Sequence, residues 1–146
     1  MIDRRWIGHA LPATEFRIER GRLRFFAQAI GETDPVYTDL DAARAAGHAD
    51  LPAPPTFLFS AELDSGVTFA MVELLGVDLA KILHGEQSFR YGQAVVAGDT
   101  VTVRSHIADI YARKGGALQF IVKLSEAVNQ RGEPVAQLRS VIVARS

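Results

Sequence analysis

The chain has 146 residues, no cysteine and a formal net charge of −1, with 48% hydrophobic and 23% charged residues. That length suits one domain over residues 1–146, and the hydrophobic share can fill a core, which argues against intrinsic disorder. Without cysteine there is no disulfide framework, thiol nucleophile or cysteine-built metal site, and sixteen basic against seventeen acidic residues leave no excess positive charge for a nucleic-acid partner.

At the amino terminus, MIDRRWIGHALPATEF has no apolar stretch of signal-peptide length. No apolar run approaches the ~20 residues of a bilayer span, so a cytoplasmic protein with no membrane partner is expected. Glu15–Glu19 alternates and predicts a short strand. Leu23, Phe26, Ala27 and Ile30 recur at i, i+3, i+4, i+7, one buried helix face, with Gly31 as its stop. A stretch rich in Asp and Pro follows, in which Asp39 or Asp41 caps a short helix, DAARAA, ended by Gly47. Pro54-Pro55-Thr56 opens an apolar helix, FLFSAEL, with either Thr56 as N-cap or Pro55 at the first helical position. Asp64-Ser65-Gly66 interrupts it, and TFAMVELLG continues to Gly76.

From Lys81 onward the pattern is that of strands. The stretch VTVRSHIADIYARKGGALQF reads as a long hairpin turning at Lys114-Gly115-Gly116. In LQFIVKLSEAV, Leu118, Phe120, Val122 and Leu124 share one face, and Gln119, Lys123 and Ser125 the other. In PVAQLRSVIVA, Ala136, Leu138, Ile142 and Ala144 oppose Gln137 and Arg139. Four consecutive strands joined by short turns imply an antiparallel sheet with one covered face. The helix from Phe57 is the element apolar enough to cover it. The expected fold is α+β, a curved antiparallel sheet wrapped round a central helix.

The chemistry-bearing residues concentrate after the first helix. Glu32, Asp34 and Asp39 share one loop with Tyr37. Such a loop can hold a general acid or base at a pocket edge, but Asp-Pro and Asp before a helix are also ordinary turn and cap chemistry. His84 is open to two readings: a base, or, since the sequence offers it no carboxylate partner, a structural histidine hydrogen-bonded at a strand start. His9, His48 and His106 have no metal-ligand spacing, so no metal site is expected. Arg17, Arg20, Arg22 and Arg24 form either a phosphate-binding or a solvated face. Phe57, Leu58, Phe59, Phe69 and Met71 line either an acyl channel or the core.

Taken in order, Asp34-Pro35-Val36-Tyr37, Ala53-Pro54-Pro55-Thr56-Phe57 and Leu83-His84-Gly85-Glu86-Gln87 resemble the MaoC-like hot-dog family of type-2 enoyl-CoA hydratases and 3-hydroxyacyl dehydratases. The resemblance covers nearly the whole chain and implies a single hot-dog fold. Active members carry G-D-x-N-P-x-H-x-D, whose Asp and His form the catalytic dyad. By position these roles fall on Glu32 and Tyr37, with Asp34 beside them. A phenol with a pKa of about 10 is a poor proton shuttle at neutral pH. Where active members carry A-H-G-M, this chain has Pro55 in the place of Gly, and proline has no N–H for a thioester oxyanion, whereas an alignment shifted by one residue offers the amide of Thr56 or Phe57.

A-P-P-T-F and L-H-G-E-Q resemble instead the non-catalytic N-terminal half of double hot-dog hydratases and the substrate-holding subunit of two-subunit hydroxyacyl-ACP dehydratases. That resemblance implies a chain that binds an acyl-CoA or acyl-ACP thioester through Pro55, Thr56, Phe57, His84, Gly85 and Gln87, with no cofactor. Its partner would be a second copy or a different, dyad-bearing hot-dog subunit. The alternatives are a self-sufficient homodimeric hydratase and a hot-dog thioesterase using Glu62 or Asp64.

Overall fold

The apolar spacing that marks the first helix produces it. In a computed structural model that describes residues 1–146, strand β1 (Thr14–Arg17) leads into helix α1 (Arg20–Ala29). Leu23 and Ala27 of α1 are fully buried, and Phe26 packs edge-on against Phe57, ring centroids 5.5 Å apart. Ile30, expected on the same face, is 51% exposed instead. It falls at the C-cap, where the helix ends and Gly31 takes a φ of +72° to turn the chain.

Helix α2 (Leu40–Ala45) is capped by Asp39, whose carboxylate accepts from the Asp41 and Ala42 amides at 2.8 and 3.1 Å. The central helix α3 spans Phe57–Asp64, with Thr56 as N-cap residue. Phe57, Leu58, Ala61 and Glu62 are its buried residues. Gly66, at φ +78°, breaks the helix where the sequence predicts, and α4 (Val67–Leu74) continues in a new direction with Met71 fully buried.

Strands β2 (Ile82–Tyr91), β3 (Thr100–Arg113), β4 (Leu118–Val128) and β5 (Pro134–Arg145) join β1 in one antiparallel sheet of order β1-β3-β4-β5-β2. The β3–β4 hairpin turns at Lys114-Gly115-Gly116, as predicted. The simple succession of neighbouring strands fails at β2. That strand pairs with β5 at the far edge, not with β3. Segment 92–99, at about 3.3 Å per extended residue, can reach across the roughly 14 Å of three strand spacings. The backbone holds it there. The Ala53 amide donates to the Val95 carbonyl at 2.8 Å and the Ala97 amide to the Leu51 carbonyl at 2.9 Å.

The faces of β4 also differ from a naive reading of its alternation. Ile121, Lys123, Ser125 and Ala127 are buried beneath the helices, while on the opposite side Val122 is buried and Leu118, Phe120 and Leu124 are half-buried. Phe120 there stacks on Tyr111 of β3, centroids 4.8 Å apart. The covered face is the more polar of the two, because Lys123 and Ser125 are buried there against Glu62, so periodicity points to the wrong face. For β5 the expected set is the covered one: Ala136, Leu138, Ile142 and Ala144 are all buried. No helix is long and apolar enough to cross a membrane.

Candidate functional site

The loop between α1 and α2 is built by its own carboxylates. Glu32 Oε1 accepts from the Thr33 and Asp34 amides, each at 3.0 Å. Asp34 Oδ1 accepts from the Val36 amide at 3.0 Å and so caps the single helical turn Pro35–Tyr37. Asp39 caps α2. Arg24 reaches over from α1, its Nε donating to the Thr38 carbonyl at 2.8 Å. Each acid of the loop therefore does local turn chemistry, which competes directly with a free carboxylate's role as base. Tyr37 is half-buried and Val36 packs on the main core, which also holds Phe57. The loop thus packs against α1, α2 and the core that the central helix shares.

At the start of that helix the Thr56 and Leu58 amides make no hydrogen bond within the chain, while the neighbouring amides are absent or engaged. Pro55 has none. The Phe57 amide donates to the Pro54 carbonyl at 2.9 Å, and the Phe59 amide to the Thr56 carbonyl at 3.1 Å. Thr56 is exposed, and its side chain makes no capping bond, so the cap is a bare turn. A residue that the motif comparison did not single out closes the corner: the Tyr91 hydroxyl donates to the Pro55 carbonyl at 2.6 Å. The signal available for it was the aromatic alternation Phe89-Arg90-Tyr91 running into Gly92. The two rings stack with centroids 5.6 Å apart.

The L-H-G-E-Q stretch lies on β2, an edge of the sheet. His84 is exposed and packs edge-on against Phe59 of α3, centroids 4.9 Å apart. Neither a hydrogen bond nor a carboxylate partner engages it within the chain, so it is not the hydrogen-bonded structural histidine expected from its place at a strand start. Gly85 occupies the register shift between His84 and Glu86. A Cβ there would meet Val143 Cγ2 at 2.8 Å, so close packing onto β5 demands glycine. Gln87 Oε1 accepts from the Ser140 hydroxyl at 2.6 Å. No hydrogen bond or ion pair joins residues 32–37 to residues 84–87; of the two motifs, the second touches α3 through His84 and Phe59.

Glu62, one of the two carboxylates considered for a thioesterase, is 1% exposed and faces the sheet. Its Oε1 lies 2.7 Å from Lys123 Nζ, accepts from the Ser125 hydroxyl, and is 3.2 Å from Ser105 Oγ. Lys123 Nζ also donates to Thr68 Oγ1 of α4 at 3.1 Å. Burial pushes the Lys123 ammonium below its ordinary pKa, and the Glu62 charge pulls part of that shift back. A carboxylate so enclosed has no route to a substrate. Asp64 is exposed and ion-paired with Arg22. Arg20 is likewise paired with Asp50, at 2.9 and 2.6 Å, so the arginine cluster is largely engaged within the chain.

The chain matches, over residues 5–138, the family model described as FAS1-like, dehydratase domain region. It belongs to that family. This FAS1-like dehydratase-region protein is 36% identical over 146 residues to a UPF0336 protein of Streptomyces avermitilis, covering 99% of the chain and 96% of the relative. It resembles the crystal structure of the C-terminally truncated HadBC (3R-hydroxyacyl-ACP dehydratase) complex from Mycobacterium tuberculosis, with a TM-score of 0.76, 27% identity and 90% of each chain covered. A MaoC-like dehydratase matches with a TM-score of 0.85 and 24% identity over 97% of this chain and 42% of that one. The fold of this dehydratase-region protein is the MaoC-like hot-dog fold that its sequence motifs predict.

Proposed function

We propose that residues 1–146, as one hot-dog domain, hold an acyl-CoA or acyl-ACP thioester for the (R)-specific hydration of a trans-2-enoyl group, or its reversal, and that a dyad-bearing hot-dog partner moves the protons. That reaction needs an acid and a base at the α and β carbons and a donor for the thioester oxygen. One observation carries the reading: the carboxylate at the dyad position, Glu32, binds its own loop's amides, with a tyrosine where the partner histidine would stand. At the start of α3, Pro55 lacks an N–H and the Phe57 amide is engaged, which leaves the Thr56 and Leu58 amides as donors for the thioester oxygen. The HadBC neighbour is itself described as a complex, which fits a division of labour between hot-dog subunits.

The test is reconstitution. The purified chain, alone and mixed with a hot-dog subunit carrying an intact G-D-x-N-P-x-H loop, is given crotonyl-CoA, and loss of the enoyl absorbance is followed. Turnover is expected in the mixture only. Robust hydration by the chain alone, abolished by Glu32→Ala, would instead establish a self-sufficient homodimeric hydratase. Release of free thiol would favour a thioesterase, with the exposed Asp64 in place of the enclosed Glu62.

A further inference from the structure

A mostly apolar groove of about 160 Å³, open to solvent on one side, lies beside the start of α3. Pro54, Pro55, Leu58, Val95 and Val135 form most of its wall, and Tyr91 stands at its rim. Leu58, Val95 and Val135 are buried, so the wall is fixed core rather than loose surface. A second open hollow of about 320 Å³ also borders Tyr91, which is 56% exposed, and it is lined by Arg90, Glu126 and Gln137 as well as Ala127, Pro134 and Ala136. Tyr91 is the residue the two hollows share.

Three contacts hold the ring between them. Its hydroxyl donates to the Pro55 carbonyl at 2.6 Å, its face stacks on Phe89, and the backbone just beyond it is pinned. The Gly92 amide donates to the Val135 carbonyl and the Gln93 amide to the Pro134 carbonyl, each at 2.9 Å. A Cβ at Gly92 would meet the Pro134 carbonyl oxygen at 2.2 Å, so no other residue permits this approach.

We infer that Tyr91 is a specificity-determining partition that limits the acyl chain this protein accepts to the groove at the start of α3. The inference rests on the thioester-binding reading above and adds where the alkyl end lies and what stops it. A cavity of about 150 Å³ accommodates benzene, and by volume alone this open groove takes roughly six carbons. Beyond that length the chain meets the tyrosine ring, and further methylenes stay in water.

The experiment is calorimetric titration of the full chain with butyryl-, hexanoyl-, octanoyl- and decanoyl-CoA. Each methylene that enters the groove lowers Kd about fourfold. The wild type is expected to follow that slope to about six carbons and then to level off. Tyr91→Ala joins the two hollows and carries the slope on through decanoyl-CoA. Tyr91→Phe keeps the ring and therefore the break. Ala53→Leu, which fills the groove from its wall, flattens the slope from the start and keeps the test open should Tyr91→Ala fail to fold.

Methyl NMR of Leu58, Val95 and Val135 reports the location, with shifts expected on adding hexanoyl-CoA. Binding with unmoved methyl signals, or an unchanged break in a folded Tyr91→Ala, overturns the partition and leaves thioester binding standing. Failure of all four thioesters to bind overturns both.

Discussion

A carboxylate becomes a cap or a base according to which amides lie within its reach, and in this protein the amides are near. Asp39 accepts from two of them at the head of α2, and Asp34 from one at the turn before it. Replacing either with alanine leaves a helix end unsatisfied, at about 1 kcal/mol each. Urea denaturation of Asp39→Ala should show that loss, while crotonyl-CoA binding by the same variant stays within twofold of wild type. A large loss of affinity with unchanged stability would mean that the acids of this loop touch substrate. The loop's composition was legible in the sequence; its wiring was not. Asp-Pro and Asp before a helix fit both readings until the amide positions are known. Tyr91 was hidden for another reason: its partner is a backbone carbonyl far away in the chain, which side-chain patterns do not encode.

The elements show where periodicity informs and where it stops. Leu23 and Ala27 mark the buried face of α1, Gly66 marks the break between α3 and α4, and the β3–β4 hairpin lies at its predicted glycines. These are local effects of spacing and backbone freedom. The placement of β2 beside β5 is non-local and left no such trace. Nor did the covered face of β4, because Lys123 reads as a surface residue until Glu62 is brought over it.

That pair makes a sharp prediction. Lys123→Met alone strands the Glu62 carboxylate in the core and should cost about 3–5 kcal/mol. The double variant Glu62→Leu/Lys123→Met removes both charges and should recover most of the loss. Chemical denaturation of the two single variants and the double closes the cycle. Additive losses would mean that the two side chains do not interact.

Across the whole molecule, tethers between distant segments fix how the dyad-like loop, α1 and the start of α3 lie together. Arg20 of α1 holds Asp50, in the segment before α3, through two hydrogen bonds, and the Arg20 guanidinium draws the Asp50 carboxyl down to about 2 from an ordinary 3.8. A carboxyl whose folded pKa is depressed stabilises the fold fully above its unfolded value. That contribution is lost as pH falls from about 4 through about 2. Asp50→Asn should therefore cost about 1 kcal/mol at neutral pH and flatten this part of the acid limb in a pH series of thermal melts. An unchanged acid limb would show that the tether persists only as a hydrogen bond.

At the same scale, the motif-bearing strand β2 stands at an edge of the sheet, where a second chain can pair. The histidine it carries has no partner within its own subunit. The account as a whole holds that this protein keeps a thioester and leaves its chemistry to another chain. NMR of crotonyl-CoA with an equimolar amount of the purified chain tests that most directly. The account predicts perturbed, bound enoyl signals that persist unchanged, with neither 3-hydroxybutyryl-CoA nor free thiol formed. Conversion to the 3-hydroxy product by this chain alone would contradict it.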